Sequence, residues 1–300
     1  MLARLLRYTI LAQILFSLGV GYCLNYFFDT SLAWSILIAI ILPVGVLFSV
    51  SVIGSLLARN GLNAIAFRAM WGEFLACTSS FLLRQPWVWK PPVLMPAPGG
   101  THKLPVILVH GFFCNHRIWY KIIPALHSLG HNVLPVNLEP VFTSIDNYAI
   151  ILEHAVQEAT KHNPKQRVIL MGHSMGGVVI RAWIRQHGSD RVAGAITLGT
   201  PHQGTVLGKT AHSPNARQMA WRSPWLKTLA ASESNSTRAL FRIANTLQDN
   251  IVFPQRLQTL PGIQAQFFEG IGHLQMCVSP PVIGWVMQQI QEIQQQETPT

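Results

Sequence analysis

The run Gly172-His173-Ser174-Met175-Gly176-Gly177 sets a serine between glycines two residues before and two after it. It follows the apolar run Val168–Met171 and opens an apolar-periodic stretch reaching about Gln186. A strand, then Gly-x-Ser-x-Gly, then a helix is the pattern of a nucleophile held on a sharp, strained turn. Side chains at 172 and 176 would collide with the neighbouring strand and helix. The turn lifts the hydroxyl clear of the sheet at a helix N-terminus, where backbone N–H groups and the helix dipole favour developing negative charge. The chemistry this permits is attack on an acyl carbonyl, given a base to take the serine proton. The bland alternative is a plain glycine-rich strand-to-helix turn; the strand before, the helix after and the doubled glycine weigh against it.

Two more loops carry unusual residues. His110-Gly111-Phe112 follows the apolar run Val106–Val109, and Gly199-Thr200-Pro201-His202-Gln203-Gly204 follows Val192–Leu198. Between them the pattern predicts a helix over Trp119–Leu129, a strand over Val133–Val136 and a helix over Ile145–Lys161. Alternating strands and helices argue for an α/β fold, a mostly parallel sheet with helices on both faces. In such sheets chemistry collects at the carboxyl ends of the strands, where these loops lie.

The stretches VILVHGFF (106–113), VILMGHSMGGV (168–178) and TLGTPHQGT (197–205) resemble the α/β-hydrolase superfamily, specifically its bacterial lipases and esterases, over about residues 104–296. The resemblance implies the order serine, acid, histidine. After Ser174 the histidines are His187, His202, His212 and His273, and the acids ahead of His273 are Asp190, Glu233, Asp249 and Glu269. His187 and Asp190 are too near the end of the helix after the turn to return to the serine. Asp249, after an apolar run and before Ile251-Val252, and His273, in a Gly-rich loop before the last helix, match the family's acid and base; Glu269 is a substitute acid. By the same resemblance the backbone N–H groups of Phe112 and Met175 form an oxyanion hole, so Met175→Ala is expected to be mild. His110, Gly111, Gly172, His173 and Gly176 support that loop and the serine turn. No cofactor is implied. No metal is expected either, since the chain has no HExxH, paired-His or carboxylate cluster. A basic, Trp-bearing stretch, about 205–246, is where similar enzymes insert a cap or lid; a helix packing Trp221 and Trp225 into the domain is the alternative.

The rest of the chain must position this unit. Of 300 residues 49% are hydrophobic and 11% charged, with a net charge of +10 from 22 Lys+Arg and 12 Asp+Glu. So little charge excludes a disordered chain and sits poorly with an ordinary soluble enzyme. Without a basic block or nucleic-acid motif, the positive balance points to a membrane surface rather than nucleic acid. From Tyr8 to Ala58 the only formal charge is Asp29, between the apolar runs Tyr8–Phe28 and Leu32–Leu57. Each is long enough to span a bilayer, so residues 1–60 read as a transmembrane helical hairpin; a cleaved signal peptide plus a core helix is the competing reading. Arg4, Arg7, Arg59 and Arg68 flank the hairpin. The positive-inside rule then puts both ends, and the catalytic part, on the cytoplasmic side, for a bacterial chain at the inner membrane. Residues 61–103 read as an interfacial helix and a Pro-rich linker, and 104–300 as the catalytic domain. The function these readings converge on is a membrane-anchored serine ester hydrolase, with membrane lipids or lipid-like esters as substrates. An acyltransferase or thioesterase would use the same three residues, and an inactive membrane-bound binding protein is the reading from another class. Oligomeric state is not legible.

Overall fold

A computed structural model of the chain describes all residues except 32, 100–102, 211 and 298–300. Its centre is a six-stranded, all-parallel sheet of β1 (Val106–Val109), β2 (Val133–Pro135), β3 (Val168–His173), β4 (Val192–Leu198), β5 (Phe241–Thr246) and β6 (Ala265–Phe268), in the order β2-β1-β3-β4-β5-β6. The central strands are covered on both faces, which is why they read as unbroken apolar runs rather than alternating ones. One face packs under α5 (Ile145–Thr160) and α6 (Met175–His187), the other under α4 (Ile122–Ser128) and α10 (Pro280–Glu297). Strand order reverses between β1 and β3, and Val109 pairs with Gly172 at their carboxyl ends. The loops from His110 and Ser174 therefore leave the sheet side by side, at the switch point where such folds build their sites.

N-terminal to the sheet lie α1 (Leu2–Phe28), α2 (Ala33–Leu57) and α3 (Ala64–Phe81). Asp29, in the left-handed region at φ 51°, ends α1, and Asn63 caps α3 by accepting from the Ala66 N–H. Helices α1 and α2 meet through small residues. Ser17, Gly21 and Ser35 are buried between them, and a Cβ at Gly21 would lie 1.7 Å from Ser35 Oγ. Most other positions of the pair turn large apolar side chains outward, Tyr8, Phe16, Tyr22, Ile40 and Ile53 among them. The foot of α1 enters the domain, where Leu2 and Leu6 pack with Val141, Phe81 and Phe113.

Two boundaries differ from the sequence reading. The Pro-rich stretch is not a free linker. Met95 exchanges both backbone hydrogen bonds with Val133, at 2.8 and 2.9 Å, and Ala97 N–H donates to Asn132 Oδ1. Met95, just ahead of Pro96, keeps the donor a proline lacks, and the edge strand β2 supplies unpaired partners. The insert expected at 205–246 ends earlier, because Phe241–Thr246 is β5, paired with β4 and β6. Arg242, Asn245 and Thr246 interrupt the apolar pattern that marks the other strands. What remains, 205–240, holds α7 (Pro214–Gln218), α8 (Pro224–Ala231) and α9 (Asn235–Ala239).

Candidate active site

Ser174 stands between β3 and α6 at φ 54° and ψ −125°, a strained conformation for a residue with a side chain, and is 7% exposed. The glycines around it answer to crowding. A Cβ at Gly172 would lie 2.4 Å from the Gly177 nitrogen, and one at Gly176 would lie 2.0 Å from the Val109 carbonyl oxygen. The Ser174 N–H donates to the Leu198 carbonyl at 2.8 Å, which ties the turn to β4.

Beside it runs the loop after β1, close enough that a Cβ at Gly111 would lie 2.8 Å from the Ser174 Cβ. His110 fixes its peptide planes. Its Nε2 accepts from the Leu138 N–H at 2.9 Å, so the proton sits on Nδ1, which donates to the Gly111 carbonyl at 2.9 Å. Burial lowers the His110 pKa to about 4 and keeps this tautomer neutral. Because a trans peptide sets C=O and N–H on opposite sides, holding the Gly111 carbonyl toward His110 turns the Phe112 N–H the other way. Among the described residues, neither the Phe112 nor the Met175 N–H donates to an acceptor in the chain.

The third part comes from the loops after β5 and β6. Asp249 and His273, both buried, join through Oδ2 and Nδ1 at 2.7 Å, and Asp249 Oδ1 accepts from the Ile251 and Val252 N–H groups at 2.9 and 2.7 Å. The Asp249–His273 bond puts the proton on Nδ1 and leaves the Nε2 lone pair free. Burial by itself pushes the His273 pKa down, but the charge and hydrogen bond of Asp249, with the charge of Glu73, more than offset it and the net direction is upward. Gly199, next to the Leu198 carbonyl that holds Ser174, packs on the pair: a Cβ there would lie 3.1 Å from His273 Nδ1. Serine, histidine and aspartate thus converge on one loop of β4. His173, kept neutral by burial, sits by Nε2 3.1 Å from the His273 carbonyl, with the two rings 4.7 Å apart.

The other residues weighed from sequence lie elsewhere. Glu233 makes a buried two-point ion pair with Arg181, which also donates to the His202 carbonyl. His202 itself meets Thr197 Oγ1 at 3.1 Å, bracing the loop after β4. Asp190, His212 and Glu269 are exposed, and His187 faces Glu153. In the insert Trp225 donates to Asp146 Oδ2 while Leu226 and Leu229 enter the core, so α8 packs on α5 and α6. Met175 is buried in the same core, so truncating it costs packing even though its N–H is unchanged. Among the described residues no group of three or more His, Cys, Asp or Glu is placed to hold a metal.

Sequence reasoning missed how the N-terminal helices reach the site. Glu73 of α3, 2% exposed, accepts from the Leu274 N–H at 3.0 Å and the Gln275 N–H at 2.9 Å, the two residues after His273. A Cβ at Gly272 would lie 2.4 Å from the Glu73 Cβ, so that glycine admits the carboxylate. Burial raises the Glu73 pKa. Beyond α2, Asn60 donates to the Gln248 carbonyl, beside Asp249, and after α3 Gln85 Oε1 accepts from the Asn115 N–H beyond the loop that follows β1. The available signal was Glu73 itself, one acid on an apolar helix, since a carboxylate buried there requires partners.

The alpha/beta hydrolase fold model matches residues 105–249. That match, with the parallel six-stranded sheet, identifies the α/β-hydrolase fold. The chain is 29% identical over 123 residues to the Oryza sativa probable esterase PIR7A, covering 37% of this chain and 44% of that protein. With Arabidopsis thaliana methylesterase 3 it is 28% identical over 140 residues, 43% of this chain and 51% of the other. The chain thus spans about half the length of the curated relatives it matches. Among solved structures, mature Bacillus licheniformis lipase BlEst2 superposes with a TM-score of 0.57 at 16% identity, covering 67% of this chain and 99% of that one. Aspergillus fumigatus lipase B gives a TM-score of 0.55 at 16% identity over 66% and 55%. These structural likenesses show that the α/β-hydrolase fold is shared. The relatives named above are plant proteins, outside the bacterial group the motifs resemble.

Proposed function

We propose that this α/β-hydrolase is a membrane-anchored serine ester hydrolase acting on lipid-like carboxylic esters. The observation that carries the reading is the buried Asp249–His273 pair set beside a strained serine at a helix N-terminus. In the reaction Ser174 Oγ attacks the ester carbonyl carbon while its proton passes to His273 Nε2. The oxyanion takes hydrogen bonds from the Phe112 and Met175 N–H groups, and Asp249 stabilises the imidazolium. Collapse breaks the bond to the alcohol oxygen, which leaves with the proton from Nε2. Water, deprotonated by the same nitrogen, then attacks the acyl-serine, and Ser174 recovers its proton as the acid departs.

The relatives named as esterases support this class, as does a fold shared with lipases. For anchoring, α1 and α2 are 27 and 25 residues long, so about 40 Å each, against roughly 30 Å of bilayer hydrocarbon. Their small-residue contact suits helix packing in lipid, and their apolar exterior suits a hydrocarbon medium. The flanking arginines favour a cytoplasmic domain.

Fluorophosphonate labelling of the detergent-solubilised chain tests the chemistry. Labelling that vanishes in Ser174→Ala is the expected result, followed by turnover of an ester series. A folded chain that stays unlabelled with lipid present sinks the hydrolase reading in favour of a binding protein. Acyl transfer to an added alcohol outpacing hydrolysis would instead mark an acyltransferase.

A further inference from the structure

Resting on the hydrolase reading, we propose that the crevice between the N-terminal hairpin and the oxyanion loop is the acyl-chain site, so that a lipid ester reaches Ser174 sideways from the bilayer. The crevice encloses about 270 Å³ and is lined by Leu6 and Ile10 of α1, Pro43 and Leu47 of α2, Phe81 of α3, and Phe113. That volume is close to the lower end of the roughly 300–1,000 Å³ of small-ligand sites.

Three observations name the occupant. The first is position. Phe113 follows Phe112, whose N–H is free to receive an oxyanion, and Gly111 lies against Ser174. Two residues of chain reach at most about 7 Å, so the wall of the crevice begins within one short step of the reacting carbonyl. The rings of Phe112, Phe113 and Phe142 stand 5.9–6.3 Å apart, and Phe113 meets Phe81 at 6.4 Å, giving a continuous apolar path from the loop to the hairpin.

The second is chemistry. The one hydroxyl on the lining, that of Thr9, is spent on the Leu5 carbonyl of its own helix at 3.0 Å. The other polar group is the Gln13 amide, one side chain on an otherwise apolar wall, so the lining favours hydrocarbon over a sugar, a phosphate or a peptide, each of which needs several polar partners. The third is what lies outside. The far walls are the two helices whose outward faces are large and apolar, so the crevice opens toward the medium those helices occupy. A chain moving from bilayer to crevice exchanges one apolar surrounding for another. A chain drawn through water would pay for every methylene exposed.

A fluorophosphonate bearing a long alkyl chain with a terminal diazirine, applied to the full-length protein in phosphatidylcholine vesicles, tests this. Ser174 Oγ displaces fluoride from phosphorus, forming the P–O bond as P–F breaks and passing its proton to His273, which leaves the alkyl chain anchored where an acyl chain would lie. Photolysis is expected to fix the chain end to peptides containing residues 6–13 or 43–50. Adducts mapped to the insert at 205–240, or a labelled Ser174 with no protein crosslink, would overturn the inference while leaving the hydrolase reading intact. An unlabelled Ser174 would overturn both. Independently, Leu47→Trp is expected to lower the ratio of kcat/KM for a hexadecanoyl ester to that for a butanoyl ester by at least about tenfold. An unchanged ratio in a variant of native thermal stability would overturn the assignment.

Discussion

At the residue scale the site separates side chains that act through their own atoms from those that lend only backbone. Asp249 belongs to the first kind: its carboxylate is fixed by two N–H groups and by His273 Nδ1. In Asp249→Asn the amide no longer dictates which ring nitrogen carries the proton, and kcat is expected to fall roughly 10⁴-fold, read by steady-state turnover of a soluble ester. In the native chain the His273 pKa lies above its ordinary value, and as the proposed base its ring must be neutral to act. The acid limb of kcat/KM is therefore expected to be centred above about pH 6.5, with activity lost as pH falls through it. For stability the same shift has the opposite sign. The protonated histidine is favoured by the fold, so its contribution is present at low pH and lost as pH rises through the folded pKa. Met175 is of the second kind. Met175→Ala should retain most of its kcat yet lose about 2–5 kcal/mol of stability, visible as a lower Tm, because its side chain is core. Ser174, Asp249 and His273 were legible because each sits in a short motif whose spacing the chemistry restricts. The burial of Met175 was not, since nothing in Gly-x-Ser-Met-Gly says which way the methionine turns.

Elements explain what the sequence left obscure. Strands β1, β3 and β4 stand out as apolar runs because both their faces are covered, whereas Arg242, Asn245 and Thr246 break the apolar run ahead of Asp249, so the insert expected from sequence extends over β5. Of the insert's two tryptophans, which amphipathicity alone leaves open between lid and core, Trp225 is tied to the domain by a partner 79 residues away in sequence, Asp146. Long-range partners of this kind have no local signature. Glu73 is the clearest case, a side chain of α3 that braces the loop of His273 from outside the matched 105–249 segment. Substituting Glu73→Gln keeps the shape, removes the charge and turns an amide NH₂ toward one of the two N–H donors. The expected result is a kcat lowered at least about tenfold with KM little changed, and an acid limb moved to lower pH because a charge that raises the His273 pKa is gone. A variant with a lower Tm but the native pH profile would reduce Glu73 to a packing role. Charges facing this carboxylate come from His273 and Asp249, and Cys77 adds its thiol, so Cys77→Ser serves as a control on the same helix.

For the whole molecule, the decisive relation is between the hairpin and the catalytic edge of the sheet. Both ends of the hairpin return to that edge: Leu2 and Leu6 pack with Phe113 behind the oxyanion loop, and Asn60, just past α2, holds the carbonyl before Asp249. With its first residues committed to the domain, α1 has about 22 residues left from Arg7 to Phe28, or roughly 33 Å of helix, close to the thickness of bilayer hydrocarbon. In the proposed anchoring that length leaves no stalk, so the loops bearing Ser174 and His273 would stand against the membrane surface and the turn at Asp29–Thr30 would emerge on the far side. This geometry makes a topological prediction that charge alone makes only for the flanks. In sealed vesicles, Thr30→Cys in a background with Cys23→Ser should react with a membrane-impermeant maleimide from the side opposite to the one where protease digests the 205–240 insert. Reaction from the same side as the protease would mean that the hairpin lies on the surface. An apolar pair lying flat would bring its outward tyrosines and phenylalanines to the interface instead of the hydrocarbon, and the crevice beside Phe113 would open to headgroups rather than to acyl chains.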